Sequence, residues 1–224
     1  MKILVIGAGM MGSAMAYDFA NSPGVESVIL ADINEDQARR SAAAIGNKVE
    51  PRKLDIQHND DVLAAMKAVD VAAGATSYTH NVALTKVAIR AGTHFCDLGG
   101  NMNVVDAQLA LDADAKNENV LILPNCGLAP GMACVIAAGA AKLFTNVEEL
   151  HIRVGGLPQH PRPPLNYQLV FSAEGLINEY LEPAEVIRGG ALKHVESMLD
   201  RLQWQIPRRA RPRCAQRRGA GPPL

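Results

Sequence analysis

The chain reads as an α/β protein built on a doubly wound parallel sheet, and three observations predict it. Short apolar runs alternate with amphipathic helical stretches from Lys2 to Leu123. The first of these runs ends in a cluster of glycines that opens directly into a helix. Apolar residues make up 48% of the 224 positions and 19 glycines are spread between segments, the profile of a globular α/β chain with a sizeable core.

Lys2 to Ile6 is β-branched and apolar and predicts the first strand, and the apolar residues from Met10 to Ala20 recur at helical spacing. Glu26 to Ala31 predicts a second strand, Asn34 to Ile45 a helix with Asn34 as its N-cap, and Val49 to Leu54 a third strand. Asp60 to Ala68 continues as helix, Val69 to Ala73 as strand, Asn81 to Ala91 as an amphipathic helix, and His94 to Cys96 as a short strand. Val104 to Ala115 is predicted helical and Val120 to Leu123 closes the series. Strands joined by helical crossovers run parallel and are covered on both faces, because each crossover lays a helix against the sheet.

Beyond Pro124 the rhythm changes. Pro130 to Phe144 predicts an Ala-rich helix, Glu149 to Gly155 a strand, and Ser172 to Leu181 a further helix. Val186 to Met198, interrupted by Gly189 and Gly190, suits a β-hairpin, although Ala191 to Met198 suits a helical turn equally. The last 18 residues, PRRARPRCAQRRGAGPPL, lose all hydrophobic periodicity. The expected organisation is a doubly wound domain over 1–124, an incomplete α+β domain over 125–206, and a disordered Arg/Pro-rich tail over 207–224.

Residues 1–206 carry a net charge of −7 and residues 207–224 a net +6, the latter from six Arg without an acid. An acidic body argues against nucleic acid as a partner, since phosphate backbones are held by clustered Lys and Arg. No apolar run reaches the roughly 18 to 20 residues of a bilayer span, and Met1-Lys2 leads straight into a strand. No membrane partner is expected, and the chain is read as cytoplasmic. Cys96, Cys126, Cys134 and Cys214 form no CxxC pair, so neither a disulfide framework nor a metal site is expected.

The strongest chemical signal is Gly7-Ala8-Gly9-Met10-Met11-Gly12, a GxGxxG run between the first strand and the first helix. Gly7 permits the tight turn, Gly9 lets backbone approach a pyrophosphate, and Gly12 allows close packing of helix on strand. The helix N-terminus then offers free N–H groups to the anion. Strand, loop and helix together predict a Rossmann-type dinucleotide site, with the side chains of Met10 and Met11 expected to pack. Asp32 ends the second strand twenty residues after Gly12, where a carboxylate accepts from the adenosine ribose hydroxyls. It would repel a 2′-phosphate, and Arg39 and Arg40 lie too far along the next helix to replace it, which favours NAD over NADP. Asp32 could instead cap the following helix, a task for which Asn34 is equally placed. Asp55, ending the third strand, could approach the adenine or simply face solvent.

Ligands of open parallel sheets bind beyond the carboxyl ends of the strands. Three segments rich in small and polar residues lie there: Gly74 to Asn81, Cys96 to Asn101, and Asn125 to Met132. Gly74 is placed with the cofactor loops. Pro130 suits a first helical turn, so the helix that follows could present its N-terminus to the nicotinamide or to a substrate carboxylate.

Five segments carry a more specific signal: GAGMMG near the start, THFCDLGGN at Thr93 to Asn101, NCGLAPGM at Asn125 to Met132, VGGLPQ at Val154 to Gln159, and LNYQLVFSAEGLINEY at Leu165 to Tyr180. Through them the chain resembles the saccharopine dehydrogenase-like family from Met1 to about Gln205, and within it the lysine 6-dehydrogenase branch. The resemblance implies NAD(P)-dependent oxidation at an amine-bearing carbon of a small amino-acid substrate, or the reverse reductive amination. It also implies a second domain that contacts substrate and forms a homodimer.

Such chemistry needs a general base to hold the amine neutral and later activate water. Asp97 and His80 are the candidates, against the readings of a strand-end cap and a helix-start residue. Tyr167, Ser172 and Glu174 contact substrate by resemblance, while Tyr180 is equally a half-buried core aromatic. The pattern departs from the family after Gln205, as a reading-frame shift in GC-rich DNA would make it, so a truncated relative is expected. Two alternatives follow: a catalytically silent dinucleotide-binding module, or a dehydrogenase of saccharopine or a carboxylated polyamine.

Overall fold

The computed structural model describes residues 1–155, 158–164, 166–169 and 173–197. Six strands, β1 (Lys2–Ile6), β2 (Ser27–Asp32), β3 (Val49–Lys53), β4 (Val71–Gly74), β5 (His94–Asp97) and β6 (Ile122–Leu123), form one sheet. Its order is β3-β2-β1-β4-β5-β6 and every neighbouring pair is parallel. The crossovers carry helices α1 (Met10–Asn21), α2 (Glu35–Ile45), α3 (Asn59–Lys67), α4 (Asn81–Ala91), α5 (Met102–Leu109) and α6 (Asp112–Asn117). This is the doubly wound α/β architecture expected from the alternation.

Successive residues of β1 separate the two cores, as the two-residue side-chain period of a strand requires. Ile3 and Val5 face a cluster with Ala16, Ala20, Leu30, Ala38 and Ala42, under α1 and α2. Leu4 and Ile6 face the other, with Val62, Met66, Leu84, Ala88 and Phe95, under α3 and α4. The buried positions of α1 are Gly12, Ala16 and Ala20, one per turn and all small, so the helix axis comes close to the sheet. That approach holds the α1 N-terminus at the end of β1.

The predicted helix over Val104 to Ala115 is two helices. The chain turns at Ala110 and Leu111, and the turn carries Ala115 into a small cluster with Ile89 and Val120 that a straight helix would miss. No ladder forms over Glu149 to Gly155, which finds no partner strand among the described residues and is not the strand its composition predicts. Helix α7 (Met132–Ala141) starts two residues later than Pro130, because Gly131 takes a φ of +122°, outside helical space.

Residues Met1–Asn178 form one compact unit and the described residues from Glu179 a second. Helix α8 (Ala173–Leu181) spans the division. The second unit holds an antiparallel hairpin of β7 (Ala184–Arg188) and β8 (Ala191–Val195). Gly189 and Gly190, at φ +61° and +75°, supply its two-residue turn, so the hairpin reading of this segment holds over the helical one.

Candidate dinucleotide site

The loop between β1 and α1 is fixed by steric fit. A Cβ on Gly7 would stand 2.6 Å from the Ala75 carbonyl oxygen, and one on Gly12 would stand 1.8 Å from the Gly7 carbonyl oxygen. Gly9 has open space around it and caps α1 without a side-chain hydrogen bond, leaving the first turn facing outward. Met10 and Met11 do not pack as expected. They are 68% and 47% exposed, because the core face of α1 is its Gly12-Ala16-Ala20 stripe, and only their backbone can serve the loop.

Ala8 is the centre of the loop's hydrogen bonding. Its N–H donates to Asp32 Oδ2 at 2.7 Å, and its carbonyl accepts from Ser13 Oγ and Gln37 Nε2, each at 3.2 Å. Asp32 Oδ1 accepts from the Asn34 N–H at 2.8 Å, while Asn34 itself caps α2 by accepting from the Gln37 N–H. The cap and the carboxylate at the end of β2 are thus separate devices. Arg39 is paired with Glu35, and Arg40 donates to Gln37 Oε1 at 2.9 Å, so both cations are engaged along α2.

A cleft of about 240 Å³ opens beside this loop, lined by Gly7, Asp32, Leu54, Asp55, Thr76 and His80 among others. Asp55 lies on its rim, with Oδ1 accepting from the Gln57 N–H at 2.9 Å. Thr76 Oγ1 is buried there without a hydrogen-bond partner. An anion-receptive helix start, a glycine cradle that a Cβ would fill, and a carboxylate at the ribose position together fit a dinucleotide. Gly74 is not part of the cleft lining. It is buried, and a Cβ on it would stand 3.1 Å from the Phe95 ring, so this glycine serves packing.

The two candidate bases are not brought together. His80 lines the cleft with Gly7, Asp32 and Thr76 as well as with Ile56 and Gln57. Asp97, at the end of β5, is 1% exposed. Its Oδ1 accepts from the N–H groups of Gly99 at 2.8 Å and Asn125 at 3.4 Å, and its Oδ2 from Gln108 Nε2 at 2.7 Å. Its carbonyl accepts from the Cys126 N–H at 2.7 Å. Asp97 therefore ties the segments after β5 and β6 together from below. A base must reach its proton, and this carboxylate is sealed.

Gln108 was invisible as a site residue in the sequence. It is 2% exposed and also donates to Thr85 Oγ1 at 2.9 Å, with its Oε1 unpartnered. The signal that could have found it is an amide on the buried face of α5, three residues after Val105. Beside Asp97, burial first, then the neighbouring Cys126 and Asp97, pushes the Cys96 thiol up to about 11, and burial raises Cys126 as well.

The N-terminus of α7 does not face a ligand as expected. The N–H groups of Met132 and Ala133 donate to the carbonyls of Gly127 and Leu128 at 2.9 Å each, so the loop itself occupies the helix start. From the second stretch, Tyr167 is half-buried, Tyr180 is 54% exposed and hence not core, and Asn178 Nδ2 donates to the Gly100 carbonyl at 2.8 Å. Ser172 and the Glu174 side chain lie outside the described residues.

This fold and loop define a Rossmann-type binder of a nicotinamide dinucleotide. The family models described as saccharopine dehydrogenase NADP binding domain and saccharopine dehydrogenase C-terminal domain match residues 3–123 and 127–213. The chain belongs to the saccharopine dehydrogenase family, a family of oxidoreductases. Saccharopine dehydrogenase (L-Glu forming) of Saccharomyces cerevisiae is similar in structure, with a TM-score of 0.67 at 19% identity, over 87% of this chain and 44% of that one. At that identity the likeness speaks for the fold alone. GenD2 from gentamicin A biosynthesis, solved with NAD, aligns at a TM-score of 0.47 and 20% identity over 63% of this chain and 38% of its own. Among curated proteins, Glycosyl hydrolase family 109 protein 3 of Phocaeicola vulgatus is 27% identical over 130 residues, 56% of this chain and 24% of that protein. The chain thus spans less than half of the yeast enzyme and about a quarter of the curated relative.

Proposed function

We propose that this protein is an NAD-dependent dehydrogenase acting on the CH–NH group of an amino acid, with oxidative deamination of L-lysine at its 6-amino group as the reaction. The observation that carries the cofactor half is the Ala8–Asp32 hydrogen bond beside an uncapped α1, one carboxylate serving both the pyrophosphate loop and the ribose position. Family membership and the motifs at 93–101, 125–132 and 165–180 support the substrate half.

The residues divide the work. Gly7, Gly9 and Gly12 with the first turn of α1 receive the pyrophosphate, Asp32 accepts from the ribose hydroxyls, and Asp55 and Thr76 border the cleft. When bound, the nicotinamide supplies the hydride acceptor. The loops after β5 and β6, held together by Asp97, shape the ground on which the substrate carbon meets it. Loss of hydride from the amine-bearing carbon leaves an imine, which water hydrolyses with release of ammonia. His80, which lines the cleft together with Gly7 and Thr76, is the candidate for the proton acceptor, since the Asp97 carboxylate is enclosed by its three donors.

NADP is the second reading, and one observation favours it. Lys53 pairs in register with Asp32 on the neighbouring strand, a cation that the spacing of Arg39 and Arg40 did not reveal. The deciding assay is formation of reduced cofactor from NAD or NADP with L-lysine, saccharopine or carboxynorspermidine. Saturable turnover of L-lysine with NAD is expected. Tight cofactor binding without turnover of any amine would leave the silent dinucleotide-binding module, and turnover of another amine would reassign the substrate. A homodimer is proposed, with sedimentation as its test.

A further inference from the structure

We propose that the buried Asp97 carboxylate biases the site toward the oxidised dinucleotide, whose nicotinamide ring is positively charged, over the reduced one, whose ring is neutral. The inference rests on the dinucleotide reading of the site and goes beyond it. Among the described residues, the donors to the Asp97 side chain are neutral, the N–H groups of Gly99 and Asn125 and the amide of Gln108. Three donors and no acceptor suit the ionised carboxylate. No Lys, Arg or His forms an ion pair with it among the described residues. It is a buried carboxylate that hydrogen bonds satisfy and that no cation among the described residues neutralises.

Such a charge is costly to bury. As a mechanical tie between loops, an asparagine would accept from Gly99 equally well without that cost. The charge itself is therefore what distinguishes this residue, and its position says what can feel it. In the strand order β3-β2-β1-β4-β5-β6 the glycine loop follows β1 and Asp32 ends β2. A dinucleotide held by that loop would place its adenosine half toward β2 and β3 and its nicotinamide half toward β4 and β5, on the far side of the switch point. Asp97 is the last residue of β5, and Gly99 and Gly100, which carry no side chains, follow it. In a poorly solvated surrounding its field reaches further than it would through water.

The test is Asp97→Asn in the full 224-residue chain. The amide introduced there retains an acceptor for Gly99, and Gln108, by turning its own amide, can offer its unpartnered Oε1 to the new NH2 group. Calorimetric dissociation constants are measured for NAD+ and NADH, or for the phosphorylated pair if that is what binds. The expected result is that the preference for the oxidised form falls at least about fivefold relative to the wild-type chain, a change within the usual span of coupling between two groups in one site. Equal changes in both affinities, or none, would overturn the proposal and leave Asp97 a structural tie. If Asp97→Asn does not fold, Gln108→Met serves. It removes one donor while keeping the charge, and the preference should rise; an unchanged or reduced preference overturns the proposal. If neither oxidation state binds the wild-type chain, the site reading itself falls, a result distinct from either of these.

Discussion

The N–H of Ala8 donates to Asp32 Oδ2 at 2.7 Å, so the glycine loop after β1 and the carboxylate that ends β2 form one device. Removing the carboxylate should loosen the loop and delete the ribose acceptor together. Asp32→Ala is expected to weaken NAD binding by roughly tenfold to a hundredfold, the value of one or two hydrogen bonds to a charged group. It should also narrow the gap between NAD and NADP. Titration of both cofactors against both chains checks this.

Gly9 and Gly12 belong to one motif yet should respond oppositely to a methyl group. A Cβ on Gly12 would lie 1.8 Å from the Gly7 carbonyl oxygen, whereas one on Gly9 would meet nothing within 4 Å. Gly12→Ala should cost about 1 to 3 kcal/mol of stability by overpacking. Gly9→Ala should leave the thermal midpoint within error of the parent, and thermal melts of the two variants without cofactor decide the matter.

Gln108 spends its amide hydrogens on Asp97 and Thr85. Gln108→Leu leaves a buried carboxylate oxygen without its donor and is expected to destabilise the chain by about 2 to 3 kcal/mol, the cost of orphaning a buried charged acceptor. Urea unfolding monitored by circular dichroism measures it, and Gln108→Glu, which can donate through a protonated carboxyl, should recover part of the loss.

Cys96 gives the protein an alkaline limit. Its thiol is raised from 9.0 to about 11, by burial first and then by Cys126 and Asp97, so the folded chain holds this proton more tightly than the unfolded one. Its contribution is fully present below pH 9 and is lost as the pH rises through about 11. The loss amounts to about 2 to 3 kcal/mol, since a tenfold difference in proton affinity between the two states is worth about 1.4 kcal/mol. Cys96→Val should flatten the decline in urea midpoint across that window.

The sheet was legible because its signal is local and repeated. β1 and α4 fall at their predicted residues, and Asn34 caps α2 as its position before a polar first turn implied. The Rossmann loop was legible because its glycines fall in one short run between β1 and α1, although the Ala75 carbonyl that confines Gly7 comes from beyond β4. What could not be read depends on contacts distant in sequence. Asp97 is sealed by Gln108 from α5 and by the Asn125 N–H from beyond β6, neither of which its own segment announces. The α7 start is occupied by Gly127 and Leu128 carbonyls only because Gly131 takes a positive φ that folds the loop back. Glu149 to Gly155 has strand composition without a strand to pair with among the described residues, and pairing is a property of the neighbour as much as of the segment.

The most direct test is calorimetric titration of NAD+ into the 224-residue chain and into its Gly9→Ala variant. Saturable one-site binding to the parent is expected, lost in the variant while its thermal midpoint is unchanged, because the added methyl group occupies the space the pyrophosphate needs without disturbing the fold. Equal binding to both chains, or no binding to the parent, would contradict a dinucleotide site built from the Gly7–Gly12 loop and Asp32.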